Sequence, residues 1–440
     1  MARSFQPGAR RLGAMAAAIL SARPVLGTAI FLLTVLAVIT RPRGIPEWAS
    51  ALAGAAVAIL LGLIPAPAAI GAIRANWNVL AFFVGITGLA AVADRSGFFE
   101  RVGRLALVLA AGSGRRLLVA VLLLGAVITT FLSNDATALI LTPVVYGLVV
   151  GLGIEALPYV LACTFIADTA SLMLPISNPA NLLVSDAFDL PLDSYVGALG
   201  LASVVAVMLN VVLFLWIFRR SVPRRIRGPR EVAAVSELRL VWAGLTVVAA
   251  AFVIGGLAHL PLGIVACVGF VLLLVLEAIG RRAPYRRPLE GVSWPVLGFV
   301  SGMVVLVAAL EQLGVVDRLV ASGLSATRGS PILSGATASA MAAVGSNLVN
   351  NIPMTLLMIA GIQSAGLHGA TRDAAAFGTI IGADLGPNLT TVGSLATVLW
   401  LVILRRRGLD VRPWDYMRVG LLVTPPILVA ATLTMLFTFR

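Results

Sequence analysis

One apolar phrase is written twice in this chain. Residues 76–87 read NWNVLAFFVGIT and residues 293–304 read SWPVLGFVSGMV, 217 positions apart. The echo extends to rare polar residues inside apolar sequence. Asn134-Asp135 is matched by Asn350-Asn351, Asp168 by Asp384 and Ala180 by Ala396, each 216 positions apart. Two related halves follow, and in membrane transporters built that way the binding site lies where the halves meet.

Composition decides the solvent. Of 440 residues, 60% are hydrophobic and 12% charged, against roughly 45–50% and about 25% in soluble domains. That much apolar surface needs a bilayer. Net charge is +13 and all 32 basic side chains are Arg. They sit in short clusters between apolar spans, which marks loop sidedness rather than a nucleic-acid surface. Cys163 and Cys267 lie in apolar segments and suggest neither a disulfide framework nor a metal site. No cofactor is expected.

Long apolar runs lie near 25–40, 49–64, 77–93, 197–218, 240–257, 262–280, 294–310 and 417–438. Two further zones, 116–184 and 330–404, are apolar but interrupted by SND, LPISNPAN, SNLVNNIP and DLGPNLTTVGS. Unwound backbone at membrane depth is tolerated only inside protein or along a cavity, so each zone reads as a re-entrant hairpin followed by a discontinuous helix. The expected fold is all-α and polytopic, in two inverted-topology repeats of about five transmembrane helices each. An arm (1–24) precedes the first repeat, 25–218, with its hairpin at about 116–150 and broken helix at about 157–184. A linker, 219–239, leads to the second repeat, 240–440, with its hairpin at about 330–366 and broken helix at about 373–404. The arm reads as an interfacial segment rather than a cleaved signal.

Inversion is read from charge. SDAFDLPLD (185–193) has three Asp and no Arg, whereas its counterpart VILRRRGLDVR (402–412) has four Arg. Residues 94–116 carry five Arg, and 311–330 carry two. Equivalent loops of opposite bias face opposite sides, with 219–239, 281–293 and 405–416 in the cytoplasm. Loop parity puts both termini outside, against the charge of Arg3, Arg10, Arg11 and Arg23. Segments 97–112 and 314–328 read as interfacial hinge arms, or as ordinary connections.

The stretch from Leu117 to Phe218 has no basic residue, yet holds Asp135, Glu155 and Asp168; Asp384 stands alone between Asp373 and Arg405. A carboxylate at mid-membrane costs about 2.5–3.5 kcal/mol on insertion scales. Asp135, Asp168 and Asp384 therefore read as proton- or cation-coupling groups, or alternatively as groups that cap helix ends and tie hairpin to scaffold. Glu155 follows a Gly-rich stretch and reads as a loop residue. Ser133, Asn134, Thr137, Asn178, Asn181, Asn350, Asn351, Thr390 and Thr391 gather at the four breaks, with Ser177, Asn347, Asn388 and Ser394. Amides and hydroxyls donate and accept, so they can cap broken ends or line a site for a small polar solute. Pro143, Pro175, Pro179, Pro353 and Pro387 read as the breakers.

At these residues the chain resembles the arsenite/antimonite permease family, the membrane subunit of bacterial arsenical pumps, within the ion transporter superfamily. The matching phrases are SGFFERV (96–102), SNDATALILTPVV (133–145), FIADTASLMLPISNPANLLV (165–184), SNLVNNIPMTLL (346–357) and GADLGPNLTTVGSLATVLWL (382–401). The resemblance runs from about residue 25 to the C-terminus. It implies a scaffold and a transport domain with two opposed hairpins and elevator-like movement. It also implies efflux of trivalent arsenic or antimony hydroxides from the bacterial cytoplasm across the inner membrane, driven by protons, sometimes with a soluble arsenite-stimulated ATPase subunit. The roles it implies fall on Asn134 and Asp135 at the first hairpin tip and Asn178 at the first break. In the second half they fall on Asn350 and Asn351 at the tip, and on Asp384, Thr390 and Thr391 at the break. The pattern departs at Ser133, where the family often has Ala, and near Asn388, where a Lys is missing.

Within the same superfamily the rival is a sodium-coupled carboxylate carrier or sodium/proton antiporter. Such carboxylate carriers tend to show Ser-Asn-Thr at both tips, whereas these tips read Ser-Asn-Asp and Val-Asn-Asn. An intramembrane aspartyl protease would need Gly-x-Gly-Asp, unlike Gly382-Ala383-Asp384, and a serine type would need a buried His, whereas His259 and His368 lie near span ends. A passive channel is separated from a carrier only by uphill transport.

Overall fold

The structure is a computed structural model that describes residues 6–226, 239–281, 289, 291–391 and 393–439. Its regular elements are all helical. The first half comprises α1 (Gln6–Thr40), α2 (Glu47–Leu60), α3 (Ala66–Ala75), α4 (Trp77–Arg95), α5 (Phe98–Ala110), α6 (Gly114–Leu132), α7 (Asn134–Gly151), α8 (Leu157–Ala170), α9 (Pro179–Ala187) and α10 (Leu192–Ile217). The second comprises α11 (Arg239–Leu257), α12 (Leu262–Arg281), α13 (Trp294–Gln312), α14 (Pro331–Val349), α15 (Asn351–Ser364), α16 (Gly369–Leu385), α17 (Leu395–Arg406) and α18 (Pro413–Thr438). Among the described residues ten helices are long and apolar enough to cross a bilayer. The protein is an all-α, multi-pass membrane protein.

Both polar zones fold as helix, one-residue turn, helix. Ser133 separates α6 from α7 and Asn350 separates α14 from α15, and both have positive φ, 135° and 76°. Such angles are uncommon for residues with a Cβ. The helix after each zone is interrupted, between α8 and α9 and between α16 and α17. Pro143 is not a break: helix continues through it, and a widened turn at Thr137–Leu141 directly before it accommodates the missing N–H. Pro353 likewise lies in the first turn of α15, where no intrahelical donor is needed. The arm is not separated from the first span either, since α1 is helical from Gln6 through Pro24. Residues 97–112 and 314–328 are largely helical, with Phe99, Val102, Ala106 and Ala110 of α5 buried on one face. Of the linker 219–239 only 219–226 and the start of α11 are described, and most of 281–293 lies outside the described residues.

Packing is reciprocal between the halves. Helix α4 lies on α12, and its repeat mate α13 lies on α2; α10 and α18 pack on each other. Helix α9 packs on α15, while α17 packs on the wide turn of α7. Small residues permit a close approach between α14 and α16. A Cβ on Gly378 would meet the carbonyl of Gly335, and one on Gly382 the carbonyl of Ser339. Backbone cannot yield as a side chain can, and lipid offers no hydrophobic drive to compensate. Gly378→Leu is therefore expected to destabilise by about 1–3 kcal/mol or more, read as an earlier loss of the monodisperse peak when heated protein is run on size exclusion.

Candidate functional site

Asp384, at the C-terminal end of α16, organises the centre. It is 1% exposed, and its carboxylate accepts three hydrogen bonds from the other half of the chain. Ser171 Oγ donates at 2.5 Å, Asn178 Nδ2 at 2.7 Å and Asn181 Nδ2 at 2.8 Å. Asn178 does two jobs at once, because its Oδ1 takes the Ala180 N–H at 3.0 Å and so caps α9. Capping of α9 and contact with Asp384 are thus made by one side chain. Asn181 also donates to the Ser171 carbonyl at 2.9 Å, closing the first break on itself, while its Oδ1 and the buried Tyr195 hydroxyl have no hydrogen-bond partner among the described residues.

Asp168, 2% exposed, is the first-half mate of Asp384. Its Oδ1 accepts from Asn134 Nδ2 at 3.4 Å, and its Oδ2 has no hydrogen-bond partner among the described residues. Ser171 Oγ also lies 2.7 Å from the Asp168 carbonyl, so its single proton has an acceptor at each of the two acidic positions. Asp135 is different again. It is half-buried, its N–H is held by Asn134 Oδ1 at 2.9 Å, and no hydrogen bond reaches its carboxylate among the described residues.

The two tips share a backbone plan, in a register one residue away from the 216 spacing. Asn134 Oδ1 takes the next N–H, and Asn351 Oδ1 takes that of Ile352 at 3.0 Å. Ser133 thus corresponds to Asn350, Asn134 to Asn351 and Asp135 to Ile352, a spacing of 217; the breaks keep 216, with Asn178 and Ser394 at equivalent helix starts. One residue fewer between the second tip and its broken helix accounts for the slip. The second tip meets its own break through the Asn351 N–H, which donates to the Gly393 carbonyl at 2.9 Å.

Several of the expected residues spend their polar groups on near neighbours. The Thr137 hydroxyl is occupied by Thr129 at 2.8 Å and the Ser133 carbonyl at 3.3 Å. Thr390 donates to Asn347 Oδ1 at 2.8 Å, and Asn347 in turn holds the carbonyls of Ala343 and Gly386. Thr137 thus ties the two limbs of the first hairpin together, and Thr390 fastens the second break to its hairpin. Ser133 Oγ accepts the Ala136 N–H at 3.3 Å as a helix cap, and Thr391 is half-buried beside the second break. Glu155 is exposed in a loop.

Three residues with buried polar contacts lie outside those singled out in the sequence. Ser171 follows Asp168 by three residues, a spacing that places both on one helix face. Tyr416 donates to Asn388 Oδ1 at 3.2 Å and packs its ring on Phe165, 5.0 Å between centroids. Glu277, fully buried in α12, takes a bidentate pair from Arg95 of α4 at 2.9 and 3.1 Å. A lone Glu inside an apolar run was the available signal.

The arrangement holds carboxylates, amides and hydroxyls at the junction of two halves; among the described residues no cluster of His, Cys, Asp and Glu is suited to a metal. Among solved structures, the YdaH transporter of Alcanivorax borkumensis is similar in fold, with a TM-score of 0.51 and 16% identity over 83% of this chain and 86% of its own. Relatives named arsenical pump membrane protein are far closer in sequence. One from Escherichia coli is 31% identical over 419 residues, covering 92% of this chain and 96% of its own, and one from Yersinia enterocolitica matches equally. The family profile described as ArsB, arsenical pump membrane protein, matches residues 26–439. The chain is a membrane transporter that belongs to the arsenical pump membrane protein family.

Proposed function

We propose that the protein exports the trivalent hydroxides of arsenic and antimony across the bacterial cytoplasmic membrane in exchange for protons, by elevator-type alternating access. The observation that carries this reading is the coordination of Asp384. A carboxylate offers about four lone-pair sites, and Ser171, Asn178 and Asn181 fill three. One acceptor remains for an O–H donor. Arsenite at neutral pH is mainly the uncharged trihydroxide, which supplies such donors. Residues 117–218 and 373–404 contain no Arg or Lys, so an oxyanion would lack a counter-charge. The name of the relatives, arsenical pump membrane protein, supports the same substrate class.

Protons are assigned by what they would displace. Asp168 has an oxygen without a partner, and the Asp135 carboxylate accepts no hydrogen bond among the described residues. Either can gain a proton without breaking a contact, whereas Asp384 has a single free acceptor. Asp135 and Asp168 carry the exchanged proton, and Asp384 joins in when substrate leaves. Ser133, Asn134, Asn178, Asn181, Asn350, Asn351 and Thr391 complete the substrate's surroundings, with Thr137 and Thr390 holding the hairpins in place.

The reciprocal packing of α4 on α12 and of α13 on α2 supports two inverted repeats, 25–218 and 240–440. Sidedness has support as well. Arg104 and Arg407 border one concavity, and the Ile226 N–H donates to the Gly112 carbonyl at 2.8 Å. The Arg-rich stretches 94–116, 219–226 and 405–416 thus border one face, the cytoplasmic one. Hairpins and broken helices form the moving body, α5 and residues 314–328 its hinge arms. A soluble ATPase subunit, where one attaches, adds to this drive rather than replacing it.

Proteoliposomes or everted vesicles test the reading. A proton falling through 100 mV releases about 2.3 kcal/mol, enough for roughly 50-fold accumulation at one proton per substrate. Arsenite counterflow is expected with or without a pH gradient, and uphill uptake only with an acid lumen. Drive by sodium with no response to pH would establish the carboxylate-carrier or sodium-antiporter alternative. Equilibration without accumulation under any gradient would establish a channel.

A further inference from the structure

Two concavities at the foot of the first hairpin share one arginine. The first is an apolar groove of about 600 Å³ between α6 and α10, walled by Leu109, Val119, Leu123 and Leu215, with Arg115, Arg116 and Arg219 at its mouth. Trp216 stands beside it, 52% exposed, with the Arg219 guanidinium over its ring at 5.7 Å. The second, of about 520 Å³, is lined by Gly112, Ser113, Arg116, Arg224, Arg225 and neighbouring backbone. Arg116 belongs to both, and no Asp or Glu lines either among the described residues.

The place is built rather than incidental. Arg115 Nη2 donates to the Arg219 carbonyl at 3.3 Å, tying the start of α6 to the end of α10. The Ile226 N–H donates to the Gly112 carbonyl at 2.8 Å, tying the following stretch to the same turn. Five arginines are thereby gathered from two distant parts of the chain with no acidic residue among them, at the edge of a membrane-spanning bundle. Such a cluster calls for an anion. The adjoining apolar groove calls for hydrocarbon, and an exposed Trp at its lip is the residue that sits at headgroup level.

We propose that this bipartite concavity binds an anionic glycerophospholipid of the cytoplasmic leaflet, its phosphate among Arg116, Arg224 and Arg225 and an acyl chain along the groove. Basic pockets between membrane helices on this side are suited to such headgroups. A free phosphate would answer the charge and leave the groove bare. A zwitterionic lipid would fill the groove and leave the arginines unanswered. Bound lipid clips the foot of the first hairpin to the segment after α10. The inference rests on the chain being a membrane protein and on the sidedness proposed above, not on the identity of its cargo, so it fails or stands apart from the arsenite reading.

The test uses the full chain in mild detergent, with thermal midpoint measured against added phosphatidylglycerol, phosphatidylcholine or inorganic phosphate. Phosphatidylglycerol alone is expected to raise the midpoint, and Arg116→Gln/Arg224→Gln/Arg225→Gln to weaken its apparent affinity about 100-fold. The corresponding triple Lys variant, which keeps the charge and checks folding, is expected to respond within about tenfold of wild type. Arg405→Gln, elsewhere on the same face, is expected to change nothing. Equal stabilisation by phosphatidylcholine, an undiminished response of the triple Gln variant, or reproduction of the shift by inorganic phosphate would each overturn the proposal.

Discussion

Asp384→Asn is expected to abolish arsenite transport outright and to destabilise the protein. The native carboxylate only accepts, and it meets three donors, Ser171, Asn178 and Asn181. An amide of the same shape offers one accepting oxygen and two N–H groups, so at least one donor is left facing a donor. Each buried donor without a partner costs about 1–3 kcal/mol, and more where the lost acceptor was charged. The acceptor left for substrate disappears in the same change. Uptake into everted vesicles under an acid lumen should fall to the level of empty vesicles, and counterflow should fall with it. Because the variant is also less stable, a second change separates the two effects. Asp384→Asn with Asn181→Asp returns a carboxylate to the cluster from the opposite side. It is expected to recover most of the thermal midpoint without recovering transport, since the acceptor now points from the first half. Wild-type counterflow in Asp384→Asn would show that substrate does not use this carboxylate.

The contrast between Asp384 and Asp135 bears on how much of the site was legible beforehand. The offset of 216 between Asp168 and Asp384 was visible in the letters, and the structure sets Ser171, between the two acidic positions, in contact with both residues. The clustering of amides at apolar interruptions was also visible, because Pro, Gly and Asn inside a hydrophobic run have few other uses. Which hydroxyl turns outward was not legible. Thr137 and Thr390 look like site residues by position, yet each is bound to a neighbour across a helix interface. Rotamer choice of that kind is settled by tertiary packing, which periodicity does not encode. The pairing of Arg95 with Glu277 was hidden for a related reason. Arg95 read as a loop-sidedness marker, and only the packing of α4 on α12 brings a buried carboxylate to it. The slip of one residue at the tips was invisible too, since Asn134-Asp135 and Asn350-Asn351 align in sequence whatever their backbone does.

Asp135→Asn is expected to uncouple transport from protons while leaving the protein folded and able to exchange substrate. The Asp135 carboxylate accepts no hydrogen bond among the described residues, so an isosteric amide removes nothing that holds the tip together. Its thermal midpoint should match wild type within about 2 °C, a change below 1 kcal/mol. Counterflow of arsenite, which needs only a returning carrier, should persist within about twofold of wild type. Accumulation driven by an acid lumen should instead collapse from roughly 50-fold to none, because the amide cannot take up the proton whose fall supplies about 2.3 kcal/mol per 100 mV. Retained accumulation with the same dependence on the gradient would remove Asp135 from the proton's path and leave Asp168 as its carrier. The second half of the chain argues that Asp135 serves coupling and not architecture. There the same backbone turn is made around Asn350 and Asn351, and the residue in the place of Asp135 is Ile352. A hairpin tip of this design closes without a carboxylate at that position, so the one that has it carries a charge the fold itself does not require.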